Sequence, residues 1–188
     1  RRAAVILQGA VKEEMTRLNM PDVGFEIQLH PADPGPRGAD RVEFLFSPNP
    51  GTPPRPLGQI ASGGEISRFV LALKTALAEH YEMPTLVFDE IDAGVGGAAL
   101  TSMAREIAKL SRSHQVILVT HSAQVASYAR VHYQIDKTVA QNRTSTSVQR
   151  LEGEARVKEL ARMLAGDEPS EVSLQHAREM LEERGEHI

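Results

Sequence analysis

Ala61-Ser62-Gly63-Gly64-Glu65 opens a long helical pattern in which Ile66, Phe69, Val70, Leu73 and Leu77 share one face. Two glycines let the backbone come close to a ligand, and the first-turn N–H groups of a helix have no internal partners. An anionic group such as a phosphate is the natural guest of that turn. Ser62 adds a hydroxyl donor. The same residues also spell a capping box, with Ser62 as cap and Glu65 three residues on, and both readings can hold together. The helix is expected over about 64–81, stopped by Pro84.

Downstream, Leu86-Val87-Phe88 runs into Asp89-Glu90, the pattern of a buried parallel strand with functional groups at its carboxyl end. Two adjacent carboxylates there can divide the work of phosphoryl chemistry, Asp89 holding Mg²⁺ and Glu90 polarising an attacking water. A strand that merely leaves the core through acids would look the same. The glycine-rich stretch 91–97 follows, then a helix marked by Leu100, Met103, Ala104 and Ile107. Val116-Ile117-Leu118-Val119 is expected as a second buried strand ending at Thr120-His121. A parallel arrangement puts His121 on the rim that holds Asp89 and Glu90, where an imidazole can hydrogen-bond a terminal phosphate oxygen. The other histidines are scattered, and no metal-ligand or Ser-His-Asp spacing stands out.

One motif is missing. No G-x-x-x-x-G-K-[ST] occurs, so the usual phosphate cradle is absent and the three motifs amount to half an active site.

Outward from this centre, the order before residue 61 is helix, strand, strand, loop. Ala4, Leu7, Val11, Met15 and Leu18 mark a helix over 1–19, ended by Asn19-Met20-Pro21. It is either an amphipathic surface helix or the tail of a coiled coil, because fewer than three heptads do not separate the two. Phe25–Leu29 and Val42–Phe46 alternate as strands, with Pro31 to Asp40 as a turn-forming break, and Ser47 to Pro56 is an extended loop. After His121 come a short helix to about Tyr128, a strand from Val131, a turn at 141–143, a returning strand from Thr144 to Leu151, and helices near 154–165 and 170–184.

Composition excludes more than it selects. The 188 residues suffice for one core, and the net charge of −4 gives no case for a basic nucleic-acid binder. The absence of cysteine rules out disulfides and cysteine-ligated zinc and suits a reducing compartment. No apolar run reaches the roughly 18 residues needed to span a bilayer. The charged, Met-less start beginning Arg1-Arg2 suggests a cytoplasmic protein and a piece excised from a longer chain.

Taken together and in order, the three motifs resemble the carboxyl half of an ABC-type ATPase head. Ala61 to Glu65 look like the signature motif, Thr85 to Glu90 the Walker B strand, and Thr120-His121 the switch histidine. The wording Ala61-Ser62-Gly63-Gly64-Glu65-Ile66-Ser67-Arg68, Phe88-Asp89-Glu90-Ile91-Asp92-Ala93-Gly94-Val95-Gly96-Gly97 and Val119-Thr120-His121-Ser122-Ala123-Gln124-Val125-Ala126 is similar to the RecN family of bacterial DNA repair proteins, SMC-like ATPases. The likeness extends to Asn49-Pro50-Gly51 and Ala161-Arg162-Met163-Leu164, so it covers the chain from about residue 20.

The resemblance implies an α/β fold: the C-terminal lobe of an ABC/SMC-type P-loop ATPase head, a mixed sheet flanked by helices, lacking the Walker A lobe. It makes 1–19 the end of a coiled-coil arm and 20–188 the lobe itself. It implies ATP and Mg²⁺ as cofactors, Asp89 as metal ligand, and Glu90 and His121 as catalytic groups. Ser62, Gly63, Gly64 and Glu65 would face the γ-phosphate of ATP held by a second head. The implied partners are the N-terminal Walker A lobe of the same protein, a second head and DNA, with no membrane; the implied place is the cytoplasm, at the nucleoid. The general ABC pattern has an Asp six residues beyond the catalytic Glu. Gly96 stands there, as in RecN-like sequences, which leaves Asp92 without an assigned role. A non-hydrolysing structural dimerisation lobe of an SMC-like complex is the alternative, and a transporter-type domain fits the 89–97 wording less well.

Overall fold

The structure, a computed structural model, describes residues 1–36, 38–59, 63–78, 84–89, 91–140 and 143–185. Ser62 and Glu90 lie outside the described residues. The chain divides into two compact units, Arg1–Val119 and Thr120–Ile188, and each is taken by itself.

The first unit begins with α1 (Arg2–Arg17). Its stripe Val11, Met15 and Leu18 is buried, as the periodicity predicts. The helix ends two residues earlier than the 1–19 that the proline rule suggests, for a reason of its own. Asn19 takes a left-handed φ of 62°; its N–H bonds Thr16 O at 3.1 Å and the Met20 N–H bonds Met15 O at 2.9 Å. That is a Schellman cap with Asn in the left-handed position, and the buried Met15 and Met20 are the residues such a cap brings together.

A three-stranded antiparallel sheet follows, in the order β1 (Gly24–Gly35), β2 (Gly38–Ser47), β3 (Arg55–Pro56). The hairpin corrects the expected break at 31–40. Pro31 pairs with Asp40, the register shifts between Pro31 and Gly35, and Gly35 pairs with Gly38. β1 is an edge strand, where a proline and a bulge are tolerated because one row of ladder groups needs no strand partner. The inner half is core: Phe25, Phe46 and Phe69 are buried, with ring centroids 5.0 Å apart for Phe25–Phe69 and 5.2 Å for Phe46–Phe69. Ser47 Oγ donates toward Asn49 O (3.0 Å) and Thr52 O (2.6 Å), which folds the proline-rich loop back on itself.

A single 3₁₀ turn at Leu57–Gln59 precedes α2 (Gly63–Ala78). Then β4 (Thr85–Asp89), α3 (Gly97–Leu110) and β5 (Gln115–Val119) form a β-α-β unit with parallel pairing, Thr85 opposite Gln115 and Asp89 opposite Val119. Leu100, Met103, Ala104 and Ile107 are buried, as the sequence predicts. The strands are not buried on both faces. Leu86 and Phe88 are inside, but Val87 is 53% exposed, Ile117 48% and Val119 44%. An all-apolar run predicts two covered faces, and here one face has no covering layer among the described residues.

The second unit holds the short helix α4 (Ala123–Ala126), an antiparallel ribbon of β6 (His132–Ala140) and β7 (Arg143–Leu151), and two helices, α5 (Gly153–Ala165) and α6 (Glu171–Glu182). Its core is Ala123, Ala126, Val157, Leu160, Ala161, Ala177, Met180 and Leu181. Gly166, at a φ of 92°, ends α5, and Ser170 caps α6 by accepting from Ser173 N at 3.2 Å. Tyr133, Ile135 and Val148 stand exposed on the ribbon.

Candidate functional site

The glycine-rich turn at the head of α2 is held against the segment that follows β4. A Cβ on Gly64 would sit 2.9 Å from Ala93 O and 3.5 Å from Val95 Cγ2. Glycine is required at 64 by a backbone approach inside the chain itself, a constraint the ligand argument does not include. Gly63 is the first residue of α2, and Glu65 lies in its first turn, partly buried. Arg68 Nε donates to Gly64 O at 3.3 Å, one helical turn back. Ser62, the residue expected to cap this helix, is outside the described residues.

Asp89 closes β4 with its side chain exposed. By strand alternation it shares a face with Val87, and the register puts Ile117 and Val119 on that same face. The uncovered apolar half of the β4–β5 pair thus carries Asp89 at its carboxyl end. Glu90 lies outside the described residues. Asp92, two residues on, is 2% exposed, and its carbonyl accepts from Val95 N at 3.0 Å, closing the turn whose Ala93 O meets Gly64. Opposite Val87, Lys74 Nζ of α2 donates to Val87 O at 2.9 Å and lies 4.9 Å from the Phe88 ring centroid. The helix that starts at the glycine turn is thereby tied to the strand that ends at Asp89.

No group of three or more acidic, histidine or cysteine side chains converges as a metal cage among the described residues. Magnesium bound with a nucleotide does not need one, since it takes one or two carboxylates and fills its octahedron with water and phosphate oxygens. A single exposed carboxylate at a strand end suits that donor set.

His121 belongs to the second unit and is exposed. Its neighbours are fixed by short-range bonds: Thr120 Oγ1 accepts from Ser122 N at 3.0 Å, and Ser122 Oγ accepts from Val125 N at 3.4 Å as the cap of α4. Sequence reasoning missed Arg156 of α5, which is 5% exposed and donates to carbonyls at the end of this same short helix and in the turn just beyond it. The signal was present. Arg156 adjoins the apolar stripe Val157, Leu160, Ala161, and a cation beside a core stripe needs acceptors. Nearby, burial holds His132 below its ordinary value, the Arg156 charge acting with it and Glu159 against it.

The fold defines the class. An Smc head domain with a coiled coil and joint from Pyrococcus yayanosii aligns with 98% of this chain and 30% of that one, with a TM-score of 0.61 at 21% identity. An Smc head domain from Pyrococcus furiosus, solved bound to the C-terminal domain of ScpA, aligns with 98% of this chain and 39% of that one at a TM-score of 0.59. A chain described under ATP-driven dimerization and DNA-stimulated activation of SMC ATPases is matched over 96% of its length and 100% of this one, at a TM-score of 0.52. The chain has the fold of part of an SMC-type head.

Sequence gives the narrower relation: the chain is a homologue of one segment of the DNA repair protein RecN. Identity is 45% over 193 aligned residues with RecN of Streptomyces coelicolor, covering 96% of this chain and 34% of the relative. It is 46% over 178 residues with that of Treponema pallidum, covering 91% and 31%. With RecN of Deinococcus radiodurans it is 45% over 165 residues, covering 87% and 29%. The chain spans about a third of the length of these relatives. No family model matches it. Among the described residues no helix is long and apolar enough to cross a membrane.

Proposed function

We propose that this chain is the carboxyl lobe of a RecN-like ATPase head, in which ATP closes two heads and hydrolysis releases them during repair of DNA double-strand breaks. The observation that carries the reading is the uncovered β4–β5 face. Three apolar side chains and Asp89 stand together on it, on strands of a kind that folded α/β proteins cover on both sides. A Walker A lobe seated there would bring its phosphate cradle beside Asp89.

In this reading Asp89 holds Mg²⁺, which when bound neutralises phosphate charge. Glu90 accepts a hydrogen bond from the attacking water and orients it. His121 donates to a terminal phosphate oxygen. Ser62 and the first-turn N–H groups of α2, through Gly63, Gly64 and Glu65, close over the nucleotide held by the opposing head. The Gly64–Ala93 approach supports this division, because it joins the surface offered to the opposing head to the loop leaving the acid pair. The 1–19 segment, whose Val5 and Ile6 are exposed on α1, is the end of the returning coiled-coil arm.

The chain alone is expected to show no ATP turnover. Combined with the Walker A lobe of the same protein it is expected to hydrolyse ATP with Mg²⁺. Glu90→Gln is then expected to lower kcat by about 10²-fold or more while leaving an ATP-bound dimer visible by light scattering. Hydrolysis by the purified chain alone, or wild-type turnover by Glu90→Gln in the completed head, defeats the reading.

A further inference from the structure

Arg156 has no part in the chemistry above, yet it is withdrawn from water. A guanidinium at 5% exposure needs acceptors around it, and it finds three backbone carbonyls. Its Nη2 donates to Ala126 O at 3.3 Å, Ser127 O at 3.5 Å and Ala129 O at 2.5 Å. The first two oxygens belong to the last residue and the cap of α4, where a positive charge is favoured, and the third to the turn that leaves the helix. At the other end Ser122 caps the helix, and Thr120 Oγ1 holds the Ser122 N–H. The ring of Tyr128, in the clamped turn, lies under the Arg184 guanidinium at 4.1 Å.

We propose that Arg156 is a positioning residue for His121, in a role that rests on His121 acting on the terminal phosphate. α4 is a single four-residue turn, too short to persist on its own hydrogen bonds. The guanidinium Nη2 ties its carboxyl end and the turn beyond it to α5, the Thr120 and Ser122 hydroxyls fix its start, and His121 stands between those two hydroxyl residues. An apolar side chain at 156 leaves three carbonyls without that donor. A lysine ends short of the Nη2 position and carries a compact, strongly hydrated ammonium, so it holds the turn less closely.

The test uses the complete head with its Walker A lobe, and compares Arg156→Lys and Arg156→Gln with His121→Ala. Misplacement of a group by about 1 Å costs up to 10²-fold in rate, so Arg156→Lys is expected to lower kcat about tenfold. KM for ATP should stay within about twofold, since His121 acts in the transition state and not in the grip on the nucleotide. In the His121→Ala background Arg156→Lys is expected to add nothing. Losses that multiply in the double variant, a lowered melting temperature with unchanged kcat, or failure of both Arg156 variants to fold each make Arg156 a residue of the fold alone. If His121→Ala is impaired and Arg156→Lys is not, the clamp is wrong and the sensor stands. Wild-type turnover by His121→Ala removes both.

Discussion

At the scale of single residues, two positions have roles that come from packing. Gly64 was selected from sequence as a place for a phosphate, and the fold adds a backbone oxygen 2.9 Å from its missing Cβ. Ala93 O cannot swing aside as a side chain would, so Gly64→Ala must shift α2 or the 91–95 turn. We expect it to cost about 1–3 kcal/mol, against a smaller helix-propensity gain. It should appear as a lower urea midpoint at unchanged slope; an unmoved midpoint would mean that the approach is looser than described.

His132 is the second. Its pKa lies below the ordinary 6.5, from burial first and then the Arg156 charge, with Glu159 opposing. The folded state therefore binds fewer protons there than the unfolded chain does. Its contribution is fully present above about pH 6.5, declines as pH falls below that value, and flattens once the depressed value is passed. His132→Asn should reduce the loss of stability between pH 7.5 and pH 5.5, read by urea unfolding at each pH; these two pH values are chosen to bracket about 6.5. An identical pH profile would assign the loss to other groups.

At the scale of elements, the periodic patterns located helices and strands well, and they failed where a partner element decides the outcome. α1, α2, α3 and both final helices were legible from three- and four-residue spacing. Pro31 misled, because its cost depends on whether the strand is at an edge, and sequence alone does not say so. Val87 and Ile117 misled in the other direction: apolar identity does not reveal that none of the described residues covers them. Arg156 was legible only as an oddity beside a core stripe, since its partners are carbonyls, which carry no sequence signature. The aromatic cluster of Phe25, Phe46 and Phe69 ties α2 to the first sheet. Phe69→Ala removes a fully buried ring and is expected to cost about 3–5 kcal/mol, measured by denaturant unfolding of the first unit's signals. A loss under about 1 kcal/mol would show that the cluster collapses around the gap.

At the scale of the whole molecule, what was missing from the sequence and what is uncovered in the fold coincide. The proposed seat of the absent Walker A lobe is the β4–β5 face, which carries no covering layer among the described residues, and the RecN relatives are about three times as long. Val87→Glu places a charge at a solvent-facing position, so the chain's own stability should change by no more than about 0.5 kcal/mol. Association with the Walker A lobe should weaken by about tenfold or more, because an unpaired carboxylate would be buried there. Undiminished association would put the seat of that lobe elsewhere.

The outer half of the β1–β2 hairpin has a practical use. Residues 31–36 and 38–42 are all exposed, and the aromatic rings that anchor the strands lie at the opposite end of the ladder. A fluorophore or peptide epitope inserted at that tip disturbs no packed side chain. It gives a place for a reporter with which the proposed opening and closing of paired heads can be tested in single molecules.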